Sequence, residues 1–180
     1  MKFNTPLVTS IIFVSVTALT GCGDNTDKKA TDTQNVSLTQ TESTMARVDI
    51  DLSKSQFPAE ISDARGFSGS EPWGRWTDGE KVVLTFNNPL PKNFALEILV
   101  HAAFGPNANK PVNVKIGERE YSFVVSTPDQ KISVPVHLSV ETKSFEIIPP
   151  APTSPKSLGG SEDSRRLGLA ISKISILPRE

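Results

Sequence analysis

The stretch GFSGSEPWGRWTDG, residues 66–79, holds Trp73 and Trp76, the chain's two tryptophans, with Arg75 between them and Glu71 just before. An indole offers a flat apolar face and one donor, while a sugar ring offers a C–H face edged by hydroxyls. Two indoles beside a carboxylate and a guanidinium therefore have the means to stack on an oligosaccharide and hydrogen-bond its rim. The same residues have a plainer use, in which the indoles close one end of a core and Arg75 pairs with a carboxylate such as Asp78 or Asp163. A second stretch, PPAPTSPKSLGGSEDSRR at 149–166, brings Asp163, Arg165 and Arg166. These could close over a polyhydroxylated or anionic ligand, or form a surface ion-pair network of little energetic weight. In AFGPN at 103–107, Asn107 could offer its amide to a ligand or simply end a strand in a turn.

Catalytic patterns are weaker. His101 and His137 are the only histidines, and neither has the neighbouring His, Cys or Asp spacing of a metal site, so both read as structural or exposed. Gly66-Phe67-Ser68-Gly69-Ser70 resembles a nucleophile elbow but has Ser70 where the last glycine belongs, with no strand-turn-helix context. Glu71, Asp78 and Asp163 could form an acid–base pair for glycoside hydrolysis only if folding set them at the right separation. The reading is a non-catalytic chain without metal or cofactor. The formal charge of −1, from 19 basic and 20 acidic residues, gives no reason to expect nucleic acid as a partner.

The elements that must position these residues are strands. Apolar side chains recur with period two at Val48-Ile50-Leu52, Val82-Leu84-Phe86, Phe94-Leu96-Ile98-Val100 and Val112-Val114-Ile116. Tyr121-Phe123-Val125 follows a turn at Gly117-Glu118, which predicts a hairpin. Ile132-Val134-Val136-Leu138 and Phe145-Ile147 add two more strands. In the last segment Leu167-Leu169-Ile171 changes phase to Ile174-Ile176, which predicts a bulge near Ser172-Lys173. Pro135 lacks a donor and belongs on an edge strand or at a bulge. No window carries a helical apolar stripe, so the fold class is all-β: a single β-sandwich of jelly-roll type over residues 47–180, like that of carbohydrate-binding modules. The two Trp- and Pro-containing stretches are left as long loops on this frame, where function is usually carried.

Upstream, Lys2 and the apolar run Ile11 to Leu19 read as an export signal over residues 1–21, too short to span a bilayer. Leu19-Thr20-Gly21-Cys22 resembles the lipobox of bacterial lipoproteins, which implies acylation of the only cysteine, Cys22, and cleavage before it. Gly23, rather than Asp, follows Cys22, and by the sorting rule of such lipoproteins this implies the outer membrane, on its periplasmic side. Residues 22–46 are polar and should form a disordered tether, holding the domain on average roughly 25–30 Å from its anchor.

Taken together, GFSGSEPWGRWTDG, LP before Phe94 and Leu96, AFGPN, PTSP, Asp163, Arg165 and Leu167-Gly168 resemble an uncharacterised domain at the carboxy terminus of periplasmic phosphoglycerol transferases and some membrane glycosyltransferases. The resemblance covers roughly Val48 to Leu177. It implies a β-sandwich accessory domain near periplasmic or cell-envelope glucans, with the motif on Glu71, Trp73, Gly74, Arg75, Trp76, Asn107, Asp163 and Arg165. No catalytic segment of those enzymes is read in the chain, so their activity is not carried over. The leading expectation is a membrane-anchored lipoprotein that binds an oligosaccharide. Its rival is a structural or assembly lipoprotein contacting a cell-envelope protein, for which Trp and Arg serve equally well. Cys22→Ala should abolish acylation and alter processing, read as lost membrane retention and changed gel mobility; unaltered retention and mobility would remove the anchor.

Overall fold

A computed structural model describes residues 45–180. The signal, Cys22 and the tether up to residue 44 lie outside the described residues. The described residues form ten strands: β1 (Val48–Asp51), β2 (Ile61–Arg65), β3 (Arg75–Asp78), β4 (Val82–Phe86), β5 (Asn93–Ala103), β6 (Pro111–Ile116), β7 (Arg119–Val124), β8 (Gln130–His137), β9 (Ser144–Ile148) and β10 (Leu167–Pro178). The only helical pieces among the described residues are two 3₁₀ turns, Gly105–Asn107 and Lys156–Leu158.

All the strand pairs are antiparallel and lie in two sheets. One runs β1-β10-β5-β8 with β3 also on β10, and the other runs β2-β4-β9-β6-β7. The pairs β6·β7, β5·β8, β4·β9 and β3·β10 are nested like the two arms of one long hairpin. Cross-pairing of β10 with β5 and of β9 with β6 shows that this hairpin is rolled up on itself. That is the topology of a jelly roll. The tip of the hairpin is Gly117-Glu118, where Gly117 takes φ 57°. A side chain is disfavoured in that conformation and glycine is not.

Alternation sets which face is buried. Ile50, Ile174, Ile98 and Ile132 stand side by side across four strands of the first sheet, and the next row is Val48, Ile176, Leu96 and Val134. From the second sheet Val82, Leu84, Phe86, Val114, Ile116, Phe145 and Ile147 face the same core, all but completely buried. Pro135 lies opposite Ala95 on β8, an outer strand of its sheet, where a missing N–H breaks no central ladder. The expected bulge is present: Ile171 pairs with Val100 and Lys173 with Leu99, leaving Ser172 as the extra residue.

Two strands escape the apolar pattern, and one corrects it. Residues 66–79 are not an open loop. They fold as a hairpin whose returning arm is β3, with the Ser68 N–H donating to the Trp76 carbonyl (2.9 Å), the Trp76 N–H to the Ser68 hydroxyl (3.2 Å) and the Asp78 N–H to the Gly66 carbonyl (2.7 Å). On β3 the inward residues are Arg75 and Thr77 rather than apolar ones. Strand β2, on an outer edge, has no fully buried residue.

The register makes a test. Ile98→Ala, fully buried, should lower stability by about 2–5 kcal/mol in urea denaturation. Its neighbour Leu99, 36% exposed on the outer face, should lose only about 0.5 kcal/mol or less on the same change. A larger loss at Leu99 than at Ile98 would mean that the strand is placed one residue out.

Candidate functional site

The Trp hairpin is closed by a tight turn. Glu71 and Gly74 exchange both backbone hydrogen bonds (2.8 and 3.0 Å) around Pro72 and Trp73. Proline after the first residue and glycine at the fourth are the residues such a turn favours. Gly74 adds a second requirement: at φ 149° a Cβ there would stand 2.2 Å from the Ile171 carbonyl oxygen and 2.7 Å from the Ser172 Cα. Only glycine lets the turn press against the β10 bulge.

The turn delivers Trp73, and the strand after it delivers Trp76. The two half-buried indoles meet edge to face at 5.5 Å and 78°. Trp76 meets Phe104 in the same manner at 5.9 Å and 82°. Its strand neighbours across the sheet are Ala170 and then Ala102, small residues beneath a large one, and Ala170 is completely buried. His101 stacks along one face of Trp73 at 5.3 Å and 22°, and its Nδ1 lies 2.6 Å from Asp129 Oδ1. His101 reaches this position because Ala170 pairs with Ala102 and Ile171 with Val100, so that His101 is itself a bulged residue and leaves the alternation of β5.

Charged groups edge the rings. The Trp73 Nε1–H donates to Glu71 Oε2 (3.1 Å). The other oxygen of Glu71 lies 3.5 Å from Arg165 Nη1. Arg165 in turn donates to Asp163 from Nη2 (2.7 Å), from Nε (3.0 Å) and from its backbone N–H (2.9 Å). These bonds, the side-chain ones foremost, hold the Asp163 carboxyl below its ordinary range, and the same pair raises the Arg165 guanidinium above its own. The 149–166 segment is fixed at its base by reciprocal backbone bonds between Thr153 and Leu167 and by the Lys156 N–H on the Asp163 carbonyl (2.9 Å). Arg166 completes the junction of the two segments through Glu80 and, from its backbone N–H, Asp78 (2.9 Å).

Thus Glu71, Trp73, Trp76, Asp163 and Arg165 come together on one outer surface, although they lie up to 94 residues apart in the chain. Arg75 and Asn107 are elsewhere. Arg75, 8% exposed, turns inward and donates to the carbonyls of Ser68, Lys54 and Ser55 at 2.8–3.1 Å, with its guanidinium 5.0 Å from the Phe57 ring centre. It pairs with neither Asp78 nor Asp163, because its strand position faces it to the interior. Asn107 is fully buried: its Nδ2 donates to the Phe104 and Ala151 carbonyls (2.7 and 2.9 Å), and its Oδ1 accepts from the Ala151 N–H (2.9 Å). Both side chains hold the segments that carry the site and are not available to a ligand. His101, Phe104 and Asp129 were not among the residues expected here; the one sequence sign of them is that the apolar alternation of β5 stops at Val100. A groove of about 660 Å³ opens at the other end of β5, lined by Met45, Leu90, Asn93, Glu141 and Arg179 among others, and it gathers no aromatic ring.

The fold and this surface define a jelly-roll β-sandwich domain that presents a small aromatic platform with a charged rim. The chain belongs to the family described as Domain of unknown function (DUF7024), which it matches over residues 37–178. Over 126 residues it is 33% identical to phosphoglycerol transferase I of Salmonella paratyphi B, and to the same degree to that of Salmonella typhimurium. The match covers 67% of this chain and 16% of the relative, so the chain spans about one sixth of that enzyme's length. Among solved structures, a variant of a family 29 carbohydrate-binding module is similar at TM-score 0.44 and 11% identity, covering 74% of this chain and 87% of that one. The Podospora anserina GH26-CBM35 β-(1,4)-mannanase is similar at TM-score 0.38 and 15% identity, covering 75% and 28% respectively.

Asn107→Ala should unfold the domain more easily by about 2–4 kcal/mol, since it strands buried carbonyls and an N–H. Arg165→Ala, 40% exposed, should cost about 1 kcal/mol or less. Guanidinium denaturation of both variants checks this; a harmless Asn107→Ala would return that amide to the candidate ligand groups.

Proposed function

We propose that this domain is a non-catalytic glycan-binding module, displayed by a lipoprotein that is anchored through acylated Cys22 on the periplasmic side of the outer membrane. The observation that carries the reading is the Trp73 platform: a half-buried indole steadied by His101 and Trp76, with Glu71, Asp163 and Arg165 at its edge. Ring stacking supplies apolar contact with a sugar's C–H face, the carboxylates accept from its hydroxyls, and the guanidinium donates to them. Trp76, held between Trp73 and Phe104, extends the apolar floor. The relatives are named phosphoglycerol transferase I, and the resemblance of the Trp motif to the carboxy-terminal domain of periplasmic enzymes of that kind supports a place near periplasmic or cell-envelope glucans, so a β-glucan is the first ligand to try. The same residues could grip a cell-envelope protein instead, and a ligand titration separates the two.

The site is small and wet, so a dissociation constant from about micromolar to millimolar is expected. Titrating the full chain, held in a detergent without sugar headgroups, with β-gluco-oligosaccharides should shift the tryptophan fluorescence. Trp73→Ala should remove that response while losing less stability than the roughly 3–5 kcal/mol that a core indole costs. If Trp73→Ala loses the full core value and no glycan shifts the intact protein, the indole only closes the sandwich and the reading fails.

A further inference from the structure

The charges around the platform say which glycans fit it. Every base that the two segments and β5 bring to its edge already has a carboxylate: Arg165 has Asp163 and Glu71, Arg166 has Glu80, Lys156 has Glu162 (2.9 Å), and His101 has Asp129. With Asp78 on the backbone of Arg166, six carboxylates stand against three permanently charged bases. An incoming phosphate, sulfate or carboxylate would meet this excess of like charge, and could reach Arg165 only by displacing Asp163 or Glu71. Neither is free to move at no cost, since Glu71 also accepts from Trp73 and Asp163 from three N–H groups of Arg165. An uncharged polyol faces no such exchange. The guanidinium keeps N–H groups not directed at Asp163 or Glu71, its charge is already balanced, and the carboxylate oxygens remain acceptors for hydroxyls.

We infer that the platform selects neutral glycan chains and rejects the same chains once they carry anionic substituents. The inference rests on the glycan-binding reading above. It makes the domain a reader of undecorated polymer, whose occupancy falls as acidic groups are added.

The test uses the full chain in the same detergent, with a neutral β-gluco-oligosaccharide and the same oligosaccharide after its primary hydroxyls are oxidised to carboxylates. The neutral form should bind with an affinity that changes less than about twofold between roughly 50 and 500 mM salt. The oxidised form should bind at least about tenfold more weakly at low salt, with the gap closing as salt screens the rim. The double variant Glu80→Gln/Glu162→Gln removes two rim carboxylates that pair with Arg166 and Lys156 and not with the stacked rings, and should narrow the gap severalfold. Equal or tighter binding of the oxidised form overturns the inference while leaving glycan binding intact. Absence of binding by both forms overturns the glycan-binding reading and this inference with it.

Discussion

Strand β10 lies between neighbours on both sides and is buried for most of its length, so its backbone N–H and C=O groups have to be paired along each edge. One edge is taken by β5. The other is shared by two short strands laid end to end, β3 against Leu167–Ile171 and β1 against Lys173–Ile176. The join falls at Ser172, whose carbonyl accepts the Leu52 N–H (3.0 Å) just past the end of β1. The Trp hairpin enters this join, and Gly74 sits against it because nothing larger can. The site is therefore hung on the ladder of the central strand. It is not a loop free to choose its conformation.

Two bulges follow from that arrangement and between them shape the surface. Ser172 is the extra residue on β10, and His101 is the extra residue on β5 one step away. Because each strand gains one residue, the insertions offset each other and the isoleucine row beyond them stays in register. Between the bulges the alternation is broken, so Ala102 and Ala170 share a row with Trp76 while His101 turns onto Trp73. The inward side of the same hairpin is held by polar groups, Arg75 on three carbonyls and the Thr77 hydroxyl accepting from the Leu169 N–H (2.9 Å). Rigid backing of this kind lowers the ordering cost of a weak, wet contact, and a small platform needs that help to bind at all.

What could be seen in the sequence depended on whether apolar period and turn chemistry were local. The Gly117-Glu118 hairpin, the phase change at Ser172 and the edge place of Pro135 each follow from a few adjacent residues. Strand β3 could not be seen, since its inward positions are Arg75 and Thr77 and its outward ones are Trp76 and Asp78, which puts the strand's large apolar residue on the outer face. Strand β2 offers only Ile61 and Ala64 to an edge and has no buried period to read. Arg75 and Asn107 have side chains suited to a ligand, and their actual partners, the carbonyls of Lys54 and Ala151, lie 21 and 44 residues away in the chain. Only the folded topology decides between such uses. The grouping of Glu71 and Trp73 with Asp163 and Arg165 was legible as chemistry, and the fold supplied the proximity.

The most direct measurement is a two-dimensional NMR titration of the full chain with a neutral β-gluco-oligosaccharide, following the two indole N–H resonances, assigned by Trp73→Phe. The account predicts that the Trp73 signal moves first and furthest, since its N–H rests on Glu71 at the edge of the stacking face, with smaller shifts at Trp76 and His101. Unmoved indole signals at millimolar sugar, or shifts gathered instead around the Leu90 and Arg179 groove, would contradict it.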